Sequence, residues 1–120
     1  MNEEANKLPV DVSRLQQSFA DDLEFIIEMY QIYVEDAHKR LDSLDDALAK
    51  SDYKGIVDAS HALKGSSANI GAERMSALAS RLEQIDAAKD MKAAEELARE
   101  LDAEFEAVEA FVQDYSHSVL

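Results

Sequence analysis

The chain is 120 residues long, 47% hydrophobic and 32% charged, with 26 acidic residues against 12 basic ones and a formal net charge of -14. That length suits one domain with a core of its own, and the charge repels phosphate backbones, which sets nucleic acid aside as a partner. The absence of cysteine excludes disulfides, a thiolate metal site and a cysteine nucleophile. The opening residues, MNEEANKLPV, lack the basic start and apolar run of a signal peptide, and no apolar stretch approaches the ~18 residues of a membrane span. The expectation is a cytoplasmic protein without a membrane partner.

Three glycines and one proline argue for long helices over a turn-rich β fold. Residues 1–7 are expected to form a flexible N-terminus. Pro9 and Asp11 then open a short helix, on which Val12, Leu15 and Phe19 recur along one side. Asp21 with Glu24 resembles a capping box and starts a second helix. Along it Tyr30, Val34, Ala37, Leu41, Leu44 and Leu48 alternate by three and four, an apolar seam suited to bundle packing. The tripeptide KSD at 50–52 breaks this helix, and Ser51 or Asp52 caps the third. The third seam is Tyr53, Ile56, Ser60, Leu63, Ser67 and Ile70, with Gly71 as terminator. A fourth helix carries Met75, Leu78, Leu82 and Ile85. The segment DAAKD, 86–90, connects it to the last helix, which Asp90 caps and which carries Leu97, Leu101, Phe105, Val108, Val112 and Tyr115. Its charged run AAEELARELDAEFEA reads as the wet face of an amphipathic helix. Short connections make neighbouring helices antiparallel. The expected fold is all-α: an antiparallel up-down four-helix bundle with a short additional N-terminal helix, one domain over 8–117, and a frayed end at 118–120.

Within the third helix lies SHALKGSSANIG, residues 60–71. Glycine in a helix interior costs about 1 kcal/mol relative to alanine, so Gly65 points to a need for space or flexibility. Residues three and four apart share a helix face, which groups His61 with Val57, Lys64, Gly65 and Ala68. This row lies beside the core seam, so His61 is expected to be at least partly exposed. A neutral imidazole offers one nitrogen lone pair for attack. An ammonium one turn away offsets the charge of a phosphoryl group, and a missing side chain at 65 lets another protein's active site come down over the ring. Phosphoryl transfer needs mainly in-line positioning and electrostatic support. Here there is a nucleophile and a cation, with no metal-binding cluster and no nucleotide site.

The segment HALKGSSANIGA, 61–72, resembles the signature of histidine-containing phosphotransfer (HPt) domains. The pattern of His, any residue, Leu, Lys, Gly, small residues and an apolar-Gly pair is met by His61, Leu63, Lys64, Gly65, Ser66, Ser67, Ala68, Ile70 and Gly71. The similarity extends to SDYKGIVDASHALKG before it and to RLEQIDAAKD at 81–90. The resemblance implies a phosphorelay intermediate that moves phosphoryl groups between receiver-domain aspartates of two-component systems. His61 is then the phosphoacceptor and Lys64 the support for the phosphoryl group, with Val57, Gly65 and Ala68 on the receiver-docking face. A Glu or Gln of the following helix orients the imidazole in many members, and Glu83 and Gln84 both fall near that position. The implied partners are response-regulator receiver domains and a hybrid sensor histidine kinase, met by a monomer. The implied protein is a carrier and not an enzyme, with no cofactor of its own; the magnesium ion belongs to the receiver.

Three other readings compete. Glu35-x-x-His38 has the spacing of carboxylate-bridged di-iron bundles, echoed by Asp58-x-x-His61 and Asp114-x-x-His117. Those ligands must project into the core, which Val34, Ala37 and Leu41 claim. A receiver-binding bundle whose histidine is never modified is the second. The third, an autokinase, lacks a Gly-rich phosphate loop.

Overall fold

The computed structural model describes residues 8–20 and 22–119, and among them the regular structure is five α-helices. They are α1 (Ser13–Phe19), α2 (Leu23–Ala49), α3 (Tyr53–Ile70), α4 (Glu73–Gln84) and α5 (Met91–Val119). The expected flexible segment 1–7 and residue 120 lie outside the described residues, while α5 runs through 118 and 119.

Aspartate side chains open three of the five helices. Asp52 caps α3 by accepting from the Gly55 N–H at 3.0 Å, and Asp90 opens α5 by accepting from Ala93 N–H at 3.0 Å. The α2 cap is Asp22, which accepts from Phe25 N–H at 3.0 Å. This corrects the expected Asp21 cap, and Asp21 itself lies outside the described residues. Gly71 ends α3 in the left-handed conformation at φ 85°, and its carbonyl accepts from Asp11 N–H at 2.8 Å. A Cβ at 71 would stand 2.4 Å from the Asp11 carbonyl oxygen, so this turn is where the chain before α1 is seated on the bundle.

Pairs across the helices fix their directions. Tyr33 meets Ser67 and Ala47 meets Gly55, so α2 and α3 run antiparallel. His61 meets Glu83 while the Lys64 carbonyl meets Ser76, which sets α3 against α4. Arg74 pairs with Glu104 between α4 and α5. On the remaining side His38 pairs with Glu109 and Tyr30 packs edge-on against Tyr115, so α5 returns antiparallel to α2. The result is the expected up-down four-helix bundle, with α1 laid against α2 and α3.

The core joins all four long helices through Tyr30, Leu41, Leu44, Ile56, Leu63, Met75, Leu82, Leu101, Phe105 and Val108. Several expected seam residues lie off it. Phe19 is 40% exposed and stacks at a tilt on Phe25, and Tyr53 is 45% exposed. Val34, Leu48, Leu78, Ile85 and Tyr115 are only partly buried at its edge. In α2 the buried side includes Tyr33 in place of Val34. The Tyr33 hydroxyl and Ser67 Oγ are 2.7 Å apart in the interior, and burial pushes the Tyr33 pKa up to about 12. That hydrogen bond ties α2 to α3 less than two turns beyond His61.

Candidate functional site

His61 projects from the middle of α3, and its side chain is 71% exposed. The helix there is held from behind by Leu63, buried completely, and by Ser60, whose hydroxyl donates to the Ile56 carbonyl at 2.7 Å. α4 supplies the partner. Glu83, the next-to-last residue of α4, places Oε2 2.5 Å from His61 Nδ1 and Oε1 2.6 Å from Lys64 Nζ. The Ser76 hydroxyl, two turns earlier on α4, donates to the Lys64 carbonyl at 3.0 Å and locks the level of α3 against α4.

The hydrogen-bond roles follow from charge. The Lys64 ammonium and then the His61 ring lower the Glu83 pKa below the ordinary carboxylate value, so Glu83 is ionised at neutral pH. An ionised carboxylate only accepts, so Nδ1 carries the proton and donates. In the neutral ring this leaves the lone pair on Nε2, at the opposite edge of the imidazole. The site therefore presents a nucleophilic nitrogen from an exposed ring, with a carboxylate behind it to balance positive charge that develops there.

The other expected residues divide. Val57 is 41% exposed one turn before His61, Gly65 is exposed one turn after it, and Ala68 is half-buried. A Cβ added at Gly65 meets no heavy atom within 4 Å, so this glycine opens the surface beside the ring and makes no room for a neighbouring helix. Gln84 does not approach His61; its amide reaches Ser80 Oγ on its own helix at 3.5 Å. Of the two candidates for holding the ring, the geometry selects Glu83. Tyr53, expected in the core, instead extends the exposed row of Val57 and His61, and Ile32 on α2 is another exposed apolar side chain. The seam spacing concealed Tyr53, because its three-residue step to buried Ile56 does not show that it stands on the exposed four-residue row of Val57 and His61.

Among the described residues no three His, Asp or Glu side chains are grouped so as to hold a metal ion. His38 of the Glu35-x-x-His38 pattern places Nε2 3.0 Å from Glu109 and its ring edge-on to Phe105. Among the described residues no helix is long and apolar enough to cross a membrane.

Fold and site together define a class, an up-down helical bundle that displays the carboxylate-held imidazole of His61 on an open helix face beside a glycine. The model of the Hpt domain family matches residues 28–111, well over half of the chain, and the chain belongs to that family. Histidine-containing phosphotransfer protein 2 of Arabidopsis thaliana is 29% identical over 122 residues, covering 86% of this chain and 76% of that protein. The crystal structure of histidine-containing phosphotransfer protein B (HptB) from Pseudomonas aeruginosa PAO1 superposes with a TM-score of 0.79 at 25% identity, over 91% of this chain and 96% of that one. Members of the family are carriers in two-component phosphorelays, where they meet receiver domains and kinases. The α1 helix precedes the matched segment.

Proposed function

We propose that the protein is a phosphorelay intermediate that takes a phosphoryl group on His61 from a receiver-domain phosphoaspartate, or from a cognate sensor kinase, and passes it to another receiver. The observation that carries this reading is the 2.5 Å contact between His61 Nδ1 and Glu83, made by a ring that is otherwise open to solvent. In the forward step the Nε2 lone pair attacks phosphorus in line with the aspartyl oxygen. The N–P bond forms, the acyl P–O bond breaks, and its electron pair leaves with the aspartate carboxylate. The Nδ1 proton stays in place, so the ring gains positive charge, and Glu83 offsets it without moving. The role parallels that of the carboxylate behind the histidine in a serine-protease triad. The return step is the reverse, with a second receiver's aspartate as nucleophile.

The receiver supplies the remaining chemistry, including the magnesium ion that shields the phosphoryl oxygens. Its active site closes over His61 across Val57, Gly65 and Ala68, with Gly65 keeping the approach clear. The test is a relay in two stages. The protein is charged from one phosphorylated receiver, purified, and mixed with a second receiver. Label moving through this protein to the second receiver, and failing to do so with His61→Gln, is the expected result. Direct receiver-to-receiver exchange at the same rate without the protein, or label retained by the His61→Gln variant, refutes it.

A further inference from the structure

The two oxygens of Glu83 are divided between two partners, Oε2 on His61 Nδ1 and Oε1 on Lys64 Nζ. We propose, building on the reading of His61 as acceptor, that Lys64 is a positioning residue: it holds Glu83 in the rotamer that keeps the proton on His61 Nδ1, and it does not hold the phosphoryl group during acceptance.

Three observations support this assignment. The first is connectivity. Nδ1 and Nε2 lie at opposite edges of the ring, and the ammonium is bound to the carboxylate on the Nδ1 side. The ammonium is therefore engaged on the carboxylate while positive charge grows on the ring. The second is shielding. The Glu83 and Lys64 side chains are 19% and 35% exposed, against 71% for His61. A partly shielded, short ion pair holds its geometry better than an exposed one. The third is anchoring. The Ser76 hydroxyl clamps the Lys64 carbonyl from α4, the helix that carries Glu83, so the backbone from which Lys64 reaches is fixed relative to its target. Lys64 acts on the ring through the carboxylate, keeping it aimed at Nδ1.

The assignment separates from direct phosphoryl support in a double-mutant cycle. Acceptance rates from a phosphorylated receiver are measured for Lys64→Met, Glu83→Ala and the double variant. Each single change is expected to slow acceptance by about tenfold, and the double variant to be no slower than Glu83→Ala. A double variant slowed by the product of the two single effects overturns the proposal, because Lys64 then contributes independently of Glu83. A second measurement needs no phosphoryl donor. Ring-nitrogen NMR of His61 is expected to show the Nδ1–H tautomer in the parent and in Lys64→Arg, with a shift toward Nε2–H in both Lys64→Met and Glu83→Ala. An unchanged tautomer in Lys64→Met also overturns the proposal. If His61 takes no phosphate at all, the function proposed above fails, and the ring spectra still decide the role of Lys64.

Discussion

Gly65 offers the sharpest separation of stability from function. The residue sits inside an 18-residue helix, where glycine is less favourable than alanine by roughly 1 kcal/mol. Nothing repays that cost in packing, since a Cβ at this position has open space within 4 Å. Gly65→Ala should therefore gain close to the whole helix-propensity difference, and a domain of this size should melt about 4 °C higher for about 1 kcal/mol. Gly65→Gln should be stabilised nearly as much, because glutamine is also a good helix former and its side chain goes outward. Function should move the other way. Alanine should slow acceptance slightly, and glutamine, standing one turn from His61 on the approach, should block it. The assays are thermal melts by circular dichroism and transfer rates from a phosphorylated receiver. A Gly65→Ala protein less stable than the parent would show that the position is packed after all. A Gly65→Gln protein that folds well and accepts phosphate at the parent rate would refute docking across this face.

Three further outcomes follow from the geometry. Because the folded-state pKa of Glu83 is depressed by Lys64 and His61, its contribution to stability is complete above the ordinary carboxylate pKa and is lost as pH falls through the depressed value; melts across that acid range should show the gap between the parent and Glu83→Gln closing as pH drops. Leu63 is fully buried behind His61, so Leu63→Ala should cost about 2–5 kcal/mol in urea denaturation, with phosphotransfer by the remaining folded protein affected much less. Gly71→Ala combines a positive φ with a contact against the Asp11 carbonyl, so it should destabilise by at least about 1 kcal/mol and raise hydrogen exchange at the Asp11 amide.

The four long helices and their order were legible because each carries a long apolar period, and the caps Asp52 and Asp90 stand where the periods break. Positions at the ends and edges were not. Phe19 and Tyr53 keep the helical period yet lie where no neighbouring helix covers them, and periodicity does not record that. Tyr33 displaced Val34 because α2 is covered by α3 on one side and α5 on the other, which rotates the buried arc away from the simplest seam. In the site, the face of His61, Lys64 and Gly65 followed from spacing within one helix. The choice between Glu83 and Gln84 depended on how α4 is rotated against α3. That rotation is set by contacts such as Ser76 to the Lys64 carbonyl, which no local pattern announces.

Locating the phosphate decides directly whether His61 is the acceptor. The protein is incubated with a phosphorylated receiver and magnesium, and the acid-labile phosphate is mapped by phosphorus NMR and alkaline-stable peptide analysis in the parent and in His38→Gln, His61→Gln and His117→Gln. The expected result is a single phosphohistidine, bonded at Nε2 of His61, absent only from His61→Gln. Phosphate on His38 or His117, or at Nδ1 of His61 where Glu83 stands, would contradict it.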